Sequence, residues 1–339
     1  MIRLHLNESP YPPSRNVVEY VSKYAEYLNL YKHDDLYNEL IKELESYTKV
    51  DYSFLDIYPG SAAAVTLMLT YTKIIDSELV IVHPTFHAIY SLARNYGVKL
   101  VPVKLVGESF ELNPSELIKA CGNRVVYIVN PNNPTSNILL EDPDIVRRVS
   151  NLARAVFIDE AYYEFSGITF KDLVSELPNI VILRTFSKAF SLAGARFGYT
   201  ITSSELKKTI RKLRIGFEVP LSTQAAALGA LRDLNYTREI ISKIIETREW
   251  ARRRLADIGL NSVESSTNFV FINMGEPCGR TWSELKEAGI LTMCLQNIDD
   301  LSEYSNYMRV TIGKPGDMEV FVEKMKQLIG SRGSTENNA

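Results

Sequence analysis

The chain has 339 residues, enough for two domains or for one large domain with a smaller partner. It is 45% hydrophobic and 23% charged with a net charge of −3, the make-up of an ordinary globular protein, and that charge argues against nucleic acid or a membrane surface as the main partner. No run approaches the roughly 18 apolar residues of a membrane span, and MIRLHLNESPYPP at the N-terminus lacks the apolar core of a signal peptide. Cys121, Cys278 and Cys294 show no CxxC spacing, so neither a disulfide framework nor a zinc site is expected, and a reducing cytoplasm fits. His5, His33, His83 and His87 lack metal-ligand spacing, and most are expected at the surface or in packing, with no metal.

Residues 1–15 hold three prolines and read as an extended arm. Apolar spacing predicts a helix over 16–28. Tyr31 follows in a polar link, and Asp34 or Asp35 can cap a second helix to about residue 47. A short strand over 55–58 ends at Pro59-Gly60, and Ser61 can cap the next helix. Strands and helices then alternate. Continuous apolar runs at 79–82, 98–103, 124–129, 155–158, 180–183 and 197–201 predict strands, and 85–96, 114 onward and 142–152 predict helices. Asn113-Pro114 is a cap followed by proline at the first helical position. This pattern implies an α/β fold with a mostly parallel sheet sandwiched by helices. Helices follow over 204–213, whose four lysines and arginines suggest a solvated face, then over 221–234 and 237–258. The C-terminal part reads as strand 269–272, helix 281–288, strand 308–312 and helix 317–329, a small α+β domain. The expected division is an arm and first helix over 1–28, a large domain over 29–238, a small domain over 239–330 and a disordered polar tail over 331–339.

The chemistry gathers where strands end, because ligands of open α/β sheets sit beyond the carboxyl ends of the strands. VILRTFSKAFSLAGARFGYT supplies Thr185, Ser187, Lys188 and Arg196 directly after a strand. Such a lysine could be a plain surface residue. Among hydroxyls and an arginine, it suits a phosphate-bearing aldehyde, which the amine captures as an imine. Ser61 and Ala62 open a helix, which is either a simple cap or a phosphate site built from free N–H groups. Asn133 lies in NPNNPTS, Asp159 ends AVFID, and Tyr162 comes three residues later. Together these fit pyridoxal 5′-phosphate. Lys188 would carry the aldehyde, Asp159 would pair with the pyridine nitrogen, and Asn133 and Tyr162 would hydrogen-bond the phenolic oxygen. Ser61, Ala62, Thr185, Ser187 and Arg196 would hold the phosphate.

The series NPNNPT, DEAYYEF, RTFSKAF and MRVTIG resembles the fold-type I aminotransferases over nearly the whole chain, from LNESPY onward, and most of all the branch acting on histidinol phosphate. By that resemblance Lys188 is the Schiff-base lysine, and Asp159, Tyr162, Asn133, Ser187 and Arg196 are cofactor ligands. Phe86 matches the aromatic residue stacked on the pyridine ring, without its hydroxyl. Tyr31 matches a tyrosine that reaches the cofactor phosphate of a second subunit, which implies a homodimer with shared active sites. Arg309 matches the arginine that clamps the substrate carboxylate, and Tyr11 and Asn133 are expected to contact substrate. The substrates would be a small amino donor and a 2-oxo acid acceptor, 2-oxoglutarate foremost, in a cytoplasmic biosynthetic enzyme.

Three departures stand out. GSAA replaces the usual acidic turn at residues 60–63, Ser136 replaces a glycine, and GILTM places Met293 where the branch carries an arginine for the substrate phosphate. Losing that forked cation weakens the phosphate contact, and Lys286, Lys314 or Arg280 are the candidates to replace it. An apolar Met293 also suits an aminotransferase for aromatic or other unphosphorylated amino acids. A threonine-phosphate decarboxylase resembles the chain less, and a cofactor-binding regulator would usually need an added DNA-binding module.

Overall fold

The runs LVIVH, VVYIV, AVFID and IVILRT are buried from end to end, as strands must be when helices cover both faces of a sheet. The computed structural model describes the backbone of residues 1–336 and the side chains of residues 1–330. In chain order the strands are β1 (Ile2–Arg3), β2 (Leu55–Tyr58), β3 (Leu79–His83), β4 (Leu100–Lys104), β5 (Val125–Val129), β6 (Ala155–Asp159), β7 (Ile180–Thr185), β8 (Gly198–Thr202), β9 (Phe269–Asn273), β10 (Ile290–Leu291), β11 (Met293–Cys294) and β12 (Tyr307–Thr311). Seven of them form one sheet in the order β2-β8-β7-β6-β5-β3-β4. Pairing is parallel from β7 to β4, whereas β8 runs opposite to both its neighbours. The mostly parallel sheet sandwiched by helices is therefore present.

The C-terminal part is built on a second, antiparallel sheet, β11-β12-β9. The N-terminal arm is tied to it. β1 pairs in parallel with β10, and the Thr311 N–H donates to the Leu4 carbonyl at 2.9 Å. The two-residue strands β1, β10 and β11 are too short to leave a periodic signal and were not expected. The helix Leu234–Ala256 runs between the two parts, and we propose the domain boundary within it, at residue 239. No helix among the described residues is long and apolar enough to cross a membrane.

Several local expectations are corrected. His33, not Asp34 or Asp35, caps the helix Asp34–Thr48, its Nδ1 accepting from the Leu36 N–H. Gly60, not Ser61, is the N-cap of Ser61–Ile74. The helix after β3 starts at Ala88, because residues 84–87 form a loop. Lys207 does not lie on a solvated face. It is buried, with Nζ donating to the Ser53 and Leu55 carbonyls, and burial lowers its pKa to about 8. Cys278 and Cys294 form a disulfide, both residues buried, where spacing alone suggested none. The last helix is Pro315–Glu336, so the tail expected to be disordered lies partly in a helix and, at 337–339, outside the described residues.

One ion pair holds β6 to β7. Arg184 donates to Glu160 Oε2 from Nε at 3.0 Å and from Nη2 at 2.8 Å, and its guanidinium lies 3.6 Å from the Tyr163 ring centroid. Glu160 also accepts from the Phe170 N–H at 2.7 Å and the Thr169 hydroxyl at 2.8 Å. Both partners are sealed from solvent. Arg184→Met keeps the volume and leaves a buried carboxylate unpaired. It should lower unfolding free energy by about 3–5 kcal/mol, measured from the denaturant midpoint.

Candidate active site

A cavity of about 410 Å³ opens where β5, β6 and β7 end and where the arm and β12 close over them. Asp159 is the last residue of β6. Its Oδ2 accepts from the Tyr127 hydroxyl at 2.8 Å and its Oδ1 from the Ala161 N–H at 3.1 Å. Asn133, in the turn after β5, accepts at Oδ1 from Arg309 Nη1 at 2.7 Å. Lys188 follows β7. Its Nζ donates to the Leu6 carbonyl at 3.2 Å and lies 6.0 Å from the Tyr162 ring centroid.

The helix Ser61–Ile74 packs on β7 and β8, and its start reaches the same cavity. The N–H of Ser187 donates to Thr185 Oγ1 at 3.1 Å, which turns both hydroxyls into one group. Gly198 is required here. A Cβ on it would fall 2.4 Å from the Ser61 nitrogen, so only glycine lets the helix start come this close. Gly60 has φ +83°, and a Cβ there would meet Arg196 Nη2 at 2.7 Å. The first N–H groups of the helix, two hydroxyls and Arg196 thus converge, a pattern suited to phosphate.

Burial sets the electrostatics. It lowers the Lys188 pKa to about 7, assisted by Arg309, and raises that of Asp159 to about 6. Burial likewise pushes the Tyr162 hydroxyl up to about 12 and lowers Arg309 to about 10. Arg309 is 3% exposed, forms no ion pair among the described residues, and has a buried Nε with no partner. Its Nη2 donates to the His5 carbonyl at 2.6 Å.

A profile of the family described as "Aminotransferase class I and II" matches residues 1–325. The chain belongs to this family. It is similar to the histidinol-phosphate aminotransferase of Sulfurisphaera tokodaii, 36% identical over 278 residues, which cover 80% of this chain and 77% of that one. Among solved structures, a putative histidinol-phosphate aminotransferase from Erwinia carotovora atroseptica superposes with a TM-score of 0.88 at 23% identity, covering 98% of this chain and 96% of that one. The histidinol-phosphate aminotransferase of Sinorhizobium meliloti, solved in complex with pyridoxal-5′-phosphate, gives 0.84 at 22% identity, with 97% and 91% covered.

As a class I and II aminotransferase this chain is a transaminase that uses pyridoxal 5′-phosphate. Its residues fit that group. The helix start, Thr185, Ser187 and Arg196 match the phosphate, a lysine of depressed pKa matches the aldehyde, and a buried carboxyl matches the pyridine nitrogen. Ser61, Ala62, Phe86, Asn133, Asp159, Tyr162, Thr185, Ser187, Lys188, Arg196 and Arg309 all line one cavity, and so does Met293. In register, Met293 faces Arg309 across β11 and β12, which puts both side chains on one face.

Tyr11 and Tyr31 do not line it. Beyond Pro10 the arm turns toward the helix Leu234–Ala256, where Tyr236 donates to the Pro12 carbonyl at 2.8 Å and Lys243 lies 5.8 Å from the Tyr11 ring centroid. Tyr31 is 85% exposed beside Phe217. The residues not foreseen are Asn7, Glu8, His87 and Tyr127. Asn7 donates to the Tyr162 hydroxyl at 3.0 Å and accepts from the Thr311 hydroxyl at 3.0 Å. Its place in LNESPY was visible, but nothing local marks it as buried. Tyr127 is polar at the centre of an otherwise apolar run, a signal that an interior acceptor awaits it.

Two outcomes follow from this geometry. Gly198→Ala should push the helix start away and weaken cofactor binding by at least tenfold, read by titrating the cofactor-free protein. Because Lys188 loses its proton near pH 7, capture of the aldehyde should quicken as pH rises and level off above about 7, in stopped-flow absorbance, with Lys188→Ala showing no capture.

Proposed function

We propose that this transaminase moves an amino group between histidinol phosphate and 2-oxoglutarate. The observation that carries the reading is Arg309, a buried guanidinium with an unpartnered Nε and no carboxylate beside it. Such a group calls for an anionic ligand. Histidinol phosphate bears a phosphate ester on the carbon that is a carboxylate in histidine, while glutamate and 2-oxoglutarate bear a carboxylate there. One clamp therefore serves both halves of the reaction. The relatives named for that substrate support the choice.

When bound, pyridoxal 5′-phosphate supplies the electron sink for the bond broken at the substrate's amino-bearing carbon. The chain's residues do the rest. Asp159 holds the pyridine nitrogen, and Asn133 and Tyr162 bind the phenolic oxygen. Arg309 fixes the orientation of that carbon. Lys188, whose amine titrates near pH 7, takes the carbon's proton and returns it as general base and acid. Asn7 steadies the Tyr162 hydroxyl from the arm.

The working unit in this reading is a homodimer. Leu28, Leu30, Tyr31, Ile215 and Phe217 are exposed, and the rings of Tyr31 and Phe217 lie 6.0 Å apart. An apolar surface of this kind suits a second copy of the chain, with Tyr31 reaching that copy's cofactor phosphate. The protein would work in the cytoplasm. A buried disulfide such as Cys278–Cys294 persists there in heat-adapted organisms, a source that the tyrosine-, isoleucine-, lysine- and glutamate-rich composition also suggests.

A second reading, an aminotransferase for aromatic or other unphosphorylated amino acids, is favoured by Met293 in the cavity wall. Single-turnover spectroscopy separates the two. The pyridoxal form mixed with histidinol phosphate or with glutamate should convert rapidly to the amine form, and phenylalanine or tyrosine should convert it slowly. Rapid conversion by the aromatic acids alone would favour the second reading. Arg309→Ala should raise the Michaelis constant for histidinol phosphate and glutamate by roughly a hundredfold, the effect of removing a buried charge partner.

A further inference from the structure

We propose that His87 is a specificity residue for a phosphate monoester on the amino donor, its imidazole sharing that dianion with the Arg309 guanidinium where Met293 provides no cation. The inference rests on the substrate reading above and adds the residue that distinguishes a phosphate from a carboxylate at the clamp.

The cavity sets the problem. A dianion held by Arg309 alone would keep one charge unmatched. The cations lining the cavity besides Arg309 are Lys188 and Arg196, which serve the cofactor. Met293 stands directly opposite Arg309 and carries no charge. The other candidates lie elsewhere. Lys286 sits 4.9 Å from the Trp282 ring centroid, Arg280 pairs with Glu284 at 3.1 Å, and Lys314 lines a neighbouring cavity with Asp317.

His87 does line this cavity, next to Phe86 in the loop before the helix Ala88–Tyr96. Its ring packs edge-on against Phe86 at 5.4 Å between centroids. Neither of its ring nitrogens hydrogen-bonds to a described residue, so both are free to face a ligand. His87 and Arg309 line the same cavity, and burial, then the Arg309 charge, lowers the imidazole's pKa and keeps it neutral at pH 7 without an anion. The other charged and titratable groups of the cavity are Lys188 after β7, Asp159 at the end of β6 and Tyr162 just beyond it, Arg196 before β8, and Glu8 from the arm. His5, whose carbonyl binds Arg309, is itself held neutral, chiefly by burial. Glu8 would repel a phosphate, but Arg3 binds it from Nε and Nη2 at 2.9 to 3.2 Å.

The sign of the pH effect follows. A phosphate dianion beside the imidazole favours the imidazolium and raises its pKa. Binding therefore takes up a proton between the free and the bound pKa of His87, and affinity falls as pH rises through the bound value. Below about pH 6 the monoester itself gains a proton and affinity falls again. A carboxylate, with one charge already matched by Arg309, gains little from His87.

The test uses the holoenzyme, in which the cofactor fills its own phosphate site, and methyl phosphate as an unreactive probe. Calorimetry in two buffers of different ionisation enthalpy counts the protons taken up at pH 7.5. The wild type should bind with proton uptake. His87→Ala should bind about tenfold more weakly and take up none, and His87→Arg should bind without uptake. In kinetics, kcat/KM for histidinol phosphate should fall about tenfold in His87→Ala while that for glutamate stays within about twofold. Equal losses for both donors, or unchanged uptake in His87→Ala, would overturn the proposal. If the wild type binds methyl phosphate with His87-dependent uptake yet does not convert histidinol phosphate, the substrate reading fails and the His87 site stands. If His87→Ala converts histidinol phosphate as well as the wild type does, the substrate reading stands and the His87 site fails.

Discussion

Keeping an unpaired guanidinium in a protein interior costs several kcal/mol, and the chain gathers distant segments around Arg309 to offset it. Asn133 from the turn after β5 and the His5 carbonyl from the arm accept its two outer nitrogens. For His5 to be there, the arm must cross from the small sheet to the large one. β1 is anchored on β10, Leu4 on Thr311, and Asn7 on Thr311, Tyr162 and Asn268. Asn7 adopts φ +53° within this crossing, a left-handed conformation that asparagine tolerates better than most residues. Fold and site are thus one problem, because the contacts that close the cavity also stabilise the cation inside it.

The same burial acts in opposite directions on the other ionisable groups. Lys188 is moved down and Asp159 up, each toward its neutral form. Burial opposes each charge, and the Tyr127 and Ala161 donors offset it only in part at Asp159. A cofactor with a phosphate, an aldehyde and a protonatable ring nitrogen answers each group with its complement. The depressed lysine also has a thermodynamic sign. Its folded pKa lies below the unfolded 10.5, so the native state binds fewer protons and gains stability as pH rises from about 7 toward 10.5. The arm carbonyl at Leu6 offers the amine only a neutral acceptor.

What the sequence made legible was whatever one continuous segment determines. The large-sheet strands could be read because burial on both faces requires unbroken apolar runs, and the meeting of Lys188, Asp159 and Asn133 in one cavity because each lies at or a few residues beyond the end of such a strand. Features made by two distant segments could not be read. β11 exists only by pairing with β12, and the Cys278–Cys294 bridge needs the helix Gly279–Glu287 and β11 brought side by side. Lys207 reads as a surface lysine until the carbonyls of residues 53 and 55 are placed beneath it. The reversed direction of β8 carries no mark in FGYTI either. Gly198 shows why it matters, since that strand must pass against the start of the helix after Gly60.

A transaminase must accept two chemically different amino donors in one cavity, and this divides its residues into two kinds. In the proposed reaction Arg309 serves both donors alike, because each would present an anion to it, whether carboxylate or phosphate. Discrimination must come from positions that touch one anion more than the other. The register of β11 on β12 makes position 293 such a place, since its side chain lies beside the clamp without joining the Asn133 and His5 contacts. Position 87, in the loop after β3, is another. A permanent cation at 293 would attract any anion at any pH. With a methionine there and an imidazole in the same cavity lining, as proposed, the second charge would appear only when a dianion induces it, which would reward phosphate over carboxylate without strengthening both.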